Sequence, residues 1–186
     1  PHADLPRDRD VGAGRASGGV ATLIRDGLNF TECDSGNDIE SICINIRVRG
    51  NFHRIANIYI PPIPHVVDEA HLAAIFSGNT IIVGDLNAKS RTWGSTTLDA
   101  RGQLINDLLD TYGLVVVNDG SPTFVHYNGN ESHLDLAIIK ANLAATCKWE
   151  TLQSSLGSDH LPCALEIYGT EPDIEEPGPG RYKLNK

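Results

Sequence analysis

The sequence predicts an α/β fold of the α+β kind, many short strands with two helices among them. Three observations carry this. Ile42, Ile44, Ile46 and Val48 alternate with Cys43, Asn45, Arg47 and Arg49, the period-two signature of a strand. Ile81, Ile82 and Val83 are consecutive and β-branched, which suits a strand buried on both faces. Leu104, Ile105, Leu108, Leu109 and Tyr112 make an apolar stripe between Asp99 and Gly113, which fit a helix's two caps.

Composition sets the outer limits. The 186 residues suit one domain with a real core. Hydrophobic residues make up 40% and charged residues 21%, as in globular chains. No apolar run approaches the roughly 20 residues of a membrane span, so no membrane partner is expected. No secretory leader is evident in the first thirty residues, so the expected location is intracellular. The net charge of −9 argues against nonspecific coating of nucleic acid, though not against a local cationic groove. The four cysteines, at 33, 43, 147 and 163, form no C-x-x-C pair and read as reduced, partly buried thiols. The chain has no methionine and opens Pro1-His2, so it reads as an excerpt of a longer product.

In chain order, residues 1–17 are rich in Asp, Arg and Gly and lack periodicity, which reads as a disordered lead-in. Gly18-Gly19 hands over to a short strand, Val20 to Ile24. Arg25 to Asp38 mixes a strand end with a loop. Residues 42–60 form an antiparallel hairpin turning at Arg49-Gly50-Asn51-Phe52, with Ile55 and Ile58 as core candidates. It leaves the sheet at Tyr59-Ile60-Pro61-Pro62, because proline cannot donate to a ladder. Pro64 to Phe76 reads as a helix stopped by Gly78-Asn79. The strand at 81–83 follows and ends at Gly84, and Asp85 and Asn87 then point to one side. Residues 85–99 form a loop carrying Lys89, Arg91 and Trp93. The second helix leads to a strand at 114–117. Ser121-Pro122-Thr123-Phe124 turns into an edge segment, and Asn128-Gly129-Asn130 is a tight turn. Further strands run from Ser132 to Ile139, Cys147 to Leu152 and Cys163 to Tyr168. Residues 170–186 have linker composition, which leaves 18–169 as the domain.

Polar residues concentrate at strand ends: Tyr59, Asp85, Asn87, Asp135, Asp159 and His160. Each has an ordinary structural explanation alone. A Gly-Asp-x-Asn stretch can be a turn, Tyr59 a half-buried phenol, and Ser158-Asp159-His160 a capping turn. Together they suit metal-assisted phosphodiester hydrolysis. His160 could take a proton from water, with Asp135 holding its imidazole. Asn87 could donate to the phosphate, and Mg²⁺ could offset its charge. Lys89 and Arg91 beside Trp93 would suit a nucleic-acid backbone and a base face, or else be solvated loop charges around an anchoring Trp.

Tyr59-x-Pro61, Gly84-Asp85-Leu86-Asn87, Ser132-x-x-Asp135-Leu136 and Ser158-Asp159-His160, in this order, resemble the endonuclease/exonuclease/phosphatase superfamily. Gly18-Gly19-Val20-Ala21, Tyr59-Ile60-Pro61-Pro62, Asp85-Leu86-Asn87-Ala88 with Trp93, Pro122-Thr123-Phe124 and the tail Arg181-Tyr182-Lys183-Leu184-Asn185-Lys186 narrow the likeness. They are similar to the endonuclease domain of jockey-type non-LTR retrotransposons. The resemblance covers roughly residues 10–169. It implies a four-layer sandwich, two packed mixed or antiparallel β-sheets flanked by helices. It implies an endonuclease dependent on Mg²⁺ (or Mn²⁺) that nicks double-stranded DNA in the nucleus, ahead of a reverse transcriptase region in one polyprotein. By resemblance His160 is the general base, Asp135 its partner, Asp85 a nucleophile-positioning or leaving-group residue, and Asn87 and Tyr59 phosphate contacts. Asp159 and Asp85 are metal-proximal carboxylates. Thr123 and Ser132 approach the DNA backbone.

In the family a strand bearing an Asn, and a Glu that is the main metal ligand, precede Gly18-Gly19-Val20-Ala21. Residues 1–17 do not read that way, and Glu32 and Glu40 come too late. The expectation is a chain lacking those first strands and that ligand, nearly silent by itself at millimolar Mg²⁺. Two alternatives stand beside the nuclease: a phosphomonoesterase of the same superfamily, and a non-enzymatic, truncated transposon remnant.

Overall fold

Ile82 sits in the middle of a row of residues that crosses a mixed sheet: Cys43, Ala56, Ile82, Ile138 and Val116 are neighbours in register. The structure is a computed structural model and describes residues 18–33, 39–48, 51–62 and 67–168. The expected lead-in, the linker tail, the turn residues Arg49-Gly50 and Pro64 lie outside the described residues. Ten strands are described: β1 (Phe30–Cys33), β2 (Glu40–Val48), β3 (Asn51–Tyr59), β4 (Thr80–Asp85), β5 (Leu114–Val116), β6 (Phe124–Val125), β7 (Glu131–Ser132), β8 (Asp135–Lys140), β9 (Cys147–Thr151) and β10 (Cys163–Ile167). Two α-helices, α1 (Glu69–Phe76) and α2 (Ala100–Tyr112), and 3₁₀ turns at Arg91–Trp93 and Ala141–Thr146 complete the described elements.

Six strands form one sheet in the order β1-β2-β3-β4-β8-β5, with β9-β10 and β6-β7 as two-stranded ribbons. Only the β3–β4 pairing within the sheet is parallel, and α1 supplies its crossover. This is the expected class of mixed and antiparallel sheets with few helices.

Both faces of the central strands are covered, for different reasons. Leu72, Ile75 and Phe76 of α1 and Ile105, Leu108 and Leu109 of α2 bury one face against Cys43, Ala56, Ile58, Ile82 and Ile138. On the other face Val20 packs with Ile42 and Ile44, flanked by Ile55 and Tyr59. The alternation in β2 therefore separates two buried faces rather than a core from solvent. Ile58 and Ile55 likewise belong to opposite faces.

Several local expectations give way. Val20 to Ile24 is not a strand; among the described residues nothing pairs with it in a ladder. It lies over the sheet because Asn57 Nδ2 donates to Ala21 O at 3.0 Å and Gly19 N donates to Glu40 Oε2 at 2.6 Å. The first helix starts at Glu69, since Asp68 caps it by accepting from Ala70 N at 2.7 Å. Gly84 does not end its strand but lies inside it, at φ +140°, because a Cβ there would collide with Ile58 O. The strand expected from Ser132 to Ile139 is broken at His133-Leu134. Thr123 Oγ1 there accepts from Leu134 N and Asp135 N, both at 3.0 Å, in place of ladder partners. All four cysteines are free thiols, as read from their spacing.

Candidate active site

Sheet register assembles the site. Tyr59 pairs with Asp85, and Asp85 pairs with Asp135, so one row across β3, β4 and β8 carries a phenol and two carboxylates. His160 is brought to this row by the segment after β9. Val125 N donates to Asp159 O at 2.9 Å and Leu161 N to Thr123 O at 2.8 Å, which ties residues 159–161 to β6. The Phe124 ring meets the His160 imidazole edge-on at 4.8 Å and His126 in the same way at 4.6 Å.

His160 Nδ1 lies 2.8 Å from Asp135 Oδ2. An ionised carboxylate only accepts, so Nδ1 carries a proton, which in the neutral imidazole makes Nε2 the acceptor. Nε2 points toward Asp85, whose Oδ2 is 4.0 Å away. A cavity of about 490 Å³ opens here, lined in part by Tyr59, Asp85, Asn87, Lys89, Ser132 and His160. The Asp85 carboxyl is pushed up to about 6, first by burial and then by the Asp135 charge, while bonds from Asn87 and the nearby His160 act the other way. The half-buried Cys163 thiol is pushed up to about 11, first by burial and then by the Asp135 charge, so it is not a ready nucleophile.

Asp85 and Asn87 do come together, but through a tight turn. Asn87 has φ +45°, its backbone N donates to Asp85 Oδ1 at 2.9 Å, and its Nδ2 donates to Asp85 Oδ2 at 2.8 Å. The second Nδ2 proton goes to Ile60 O at 3.1 Å. Both amide protons are spent, so a donation from Asn87 to phosphate would require one of these bonds to be given up.

Other expected contacts are placed elsewhere. Trp93 is 1% exposed and its Nε1 donates to Ala88 O at 3.3 Å, so it anchors the loop and offers no face to a base. Thr123 is fully buried and its hydroxyl holds the start of β8, which rules out a direct backbone contact with DNA. Arg91 and Asp159 are exposed and do not line the cavity. Phe124, His126, Leu134, Asp99 and Pro62 do line it, none of them expected from sequence as a site residue. His126 follows the short strand β6 and stands two residues from Phe124, a spacing that could have drawn attention to the pair. Asn118 is another omission: it donates to Asp135 O and accepts from Ala137 N, both at 2.9 Å, and so extends the β5 ladder with its side chain.

Among the described residues no three of His, Cys, Asp and Glu converge as a metal cage. Of the two expected metal-proximal carboxylates, Asp85 alone faces the cavity. Mg²⁺ binds through one or two carboxylates and fills its octahedron with water and substrate phosphate. Asp85 by itself could serve only an ion held largely by water and substrate.

A family model described as Endonuclease-reverse transcriptase matches residues 53–164. The RNA-directed DNA polymerase from mobile element jockey of Drosophila melanogaster is 29% identical over 164 residues, which cover 85% of this chain and 18% of that protein. Its counterpart from Drosophila funebris is 26% identical over 163 residues, 84% of this chain and 18% of that one. The chain thus spans less than a fifth of these curated relatives. The solved endonuclease domain of TRAS1, a telomere-specific non-LTR retrotransposon, shares the fold with a TM-score of 0.70 at 22% identity, over 87% of this chain and 78% of that one. An endonuclease/exonuclease/phosphatase family protein from Leptotrichia buccalis C-1013-b gives 0.64 at 15% identity, over 90% and 71%.

Proposed function

This chain belongs to the endonuclease–reverse transcriptase family, and on that premise we propose that it is the DNA-nicking domain of a non-LTR retrotransposon polyprotein. The observation that carries the reading is the His160–Asp135 bond at 2.8 Å, with the free Nε2 turned into a cavity shared with Asp85. His160 Nε2 accepts the proton of an attacking water, and Asp135 steadies the imidazolium that forms. Asn87 holds the Asp85 carboxylate in place. Tyr59 and Ser132 contact the scissile or a flanking phosphate, and Lys89 adds a positive charge at the rim. Mg²⁺ or Mn²⁺, held by Asp85, would supply positive charge against the phosphate as negative charge builds there. The partner is double-stranded DNA, with a reverse transcriptase region in the same polyprotein and a nuclear site of action.

The test is nicking of supercoiled plasmid by protein expressed from the complete reading frame containing residues 1–186. Mg²⁺-dependent nicking, with no phosphate release from inositol phosphates, is the expected result. Phosphate release from such small substrates without nicking would move the domain to the phosphomonoesterase reading. Neither activity would leave a non-enzymatic remnant.

A further inference from the structure

Arg101 is a cation placed in the core, 6% exposed, on the first turn of α2. Its Nη1 donates to Leu86 O at 3.2 Å and to Asn87 O at 2.9 Å. These carbonyls belong to the turn that aims Asp85, and Asn87 is the residue in left-handed conformation there. The helix start is pressed against the loop that follows. Asp99 N donates to Lys89 O at 3.1 Å, Lys89 N donates to Asp99 Oδ1 at 3.2 Å, and a Cβ at Gly102 would collide with Lys89 O. Glycine at 102 is what lets the helix come close enough for the guanidinium to reach those carbonyls.

We propose that Arg101 is a positioning residue of the active site, clamping the Leu86 and Asn87 carbonyls so that the Asn87 amide holds the Asp85 carboxylate toward His160. A helix needs no arginine on the carbonyls of a different segment for its own stability. The bonds land on the two residues following Asp85, and Asn87 in turn binds both carboxylate oxygens. A guanidinium stays charged when buried and is weakly hydrated, which suits such a clamp. The assignment rests on the nuclease reading only for the reaction that is served; the clamp itself is a statement about the turn.

Arg101→Lys and Arg101→Met in the complete-frame protein test it, with plasmid nicking and the ¹⁵N–¹H resonance of the Asn87 side-chain amide, identified by its loss in Asn87→Ala. The expected result is a fall in kcat of about 10–100-fold with KM within about threefold, and a displaced Asn87 amide resonance in both variants. Wild-type kcat per folded molecule with an unmoved resonance would overturn the proposal, whatever the loss in Tm. Failure of both variants to fold would also overturn it, making Arg101 a core residue. If the unaltered protein does not nick, the nuclease reading fails, while the amide resonance still decides the clamp.

Discussion

Asp135 Oδ2 lies 2.8 Å from His160 Nδ1, although 25 residues separate the two in the chain. The pairing follows from two contacts of Thr123, one through its side chain and one through its backbone. Thr123 Oγ1 fixes the start of β8, where Asp135 sits, and Thr123 O receives Leu161 N beside His160. One residue therefore touches both ends of the pairing.

Acting as a unit, the pair predicts non-additive losses. His160→Ala should lower nicking by about 10²–10⁴-fold, the usual effect of losing a positioned base. Asp135→Asn should also lower it strongly, because a carboxamide can donate to Nδ1 and so shift the proton to Nε2. The double variant should be no worse than His160→Ala. Losses that multiply would show that the two residues act separately.

Asp85 gives a pH signature in stability. Its folded carboxyl titrates at about 6 against an ordinary 3.8, so the ionised form is disfavoured by folding. The penalty is absent below pH 3.8 and complete above about pH 6. Relative to Asp85→Asn, which carries no charge at any pH, the unaltered chain should gain up to about 3 kcal/mol as pH falls from 7 to 4. Thermal melts of both proteins across that range are the measurement. A constant gap would mean that Asp85 is not buried beside Asp135.

Gly84→Ala should be among the costliest small changes. The backbone at φ +140° and the overlap of a Cβ with Ile58 O add to about 2–6 kcal/mol. Chemical denaturation against Gly120→Ala would check it. Gly120 also has positive φ, but a Cβ there meets nothing within 4 Å. Equal losses would leave only the φ term at Gly84.

Thr123→Val keeps the shape and removes the hydroxyl, leaving Leu134 N and Asp135 N without their acceptor. Each buried orphan costs about 1–3 kcal/mol, so the loss should be large, and Thr123→Ser should recover most of it. DNA affinity per folded molecule should be the same in both variants, since the buried Thr123 reaches no phosphate. A weaker affinity in folded Thr123→Val, recovered in Thr123→Ser, would restore the DNA contact expected from sequence.

Local pattern was enough for the elements whose signal lies within a few residues. The β2–β3 hairpin, the β-branched run in β4 and the capped α2 were legible because periodicity, turn residues and caps are properties of neighbouring residues. So were the polar strand ends Tyr59, Asp85, Asn87, Asp135 and His160, through their order in the chain. Sequence could not assign exposure. Trp93 is readable either as a base face or as a loop anchor and Thr123 as a DNA contact, and both are core, because the cost of burying an indole N–H or a hydroxyl depends on whether a backbone partner, Ala88 O or Leu134 N, arrives from elsewhere. Nor could it show that Arg101 crosses to Asn87, or that Asp85 and Asp135 meet side by side. Those relations are set by strand register and helix approach, and register is decided by the packing of the whole sheet.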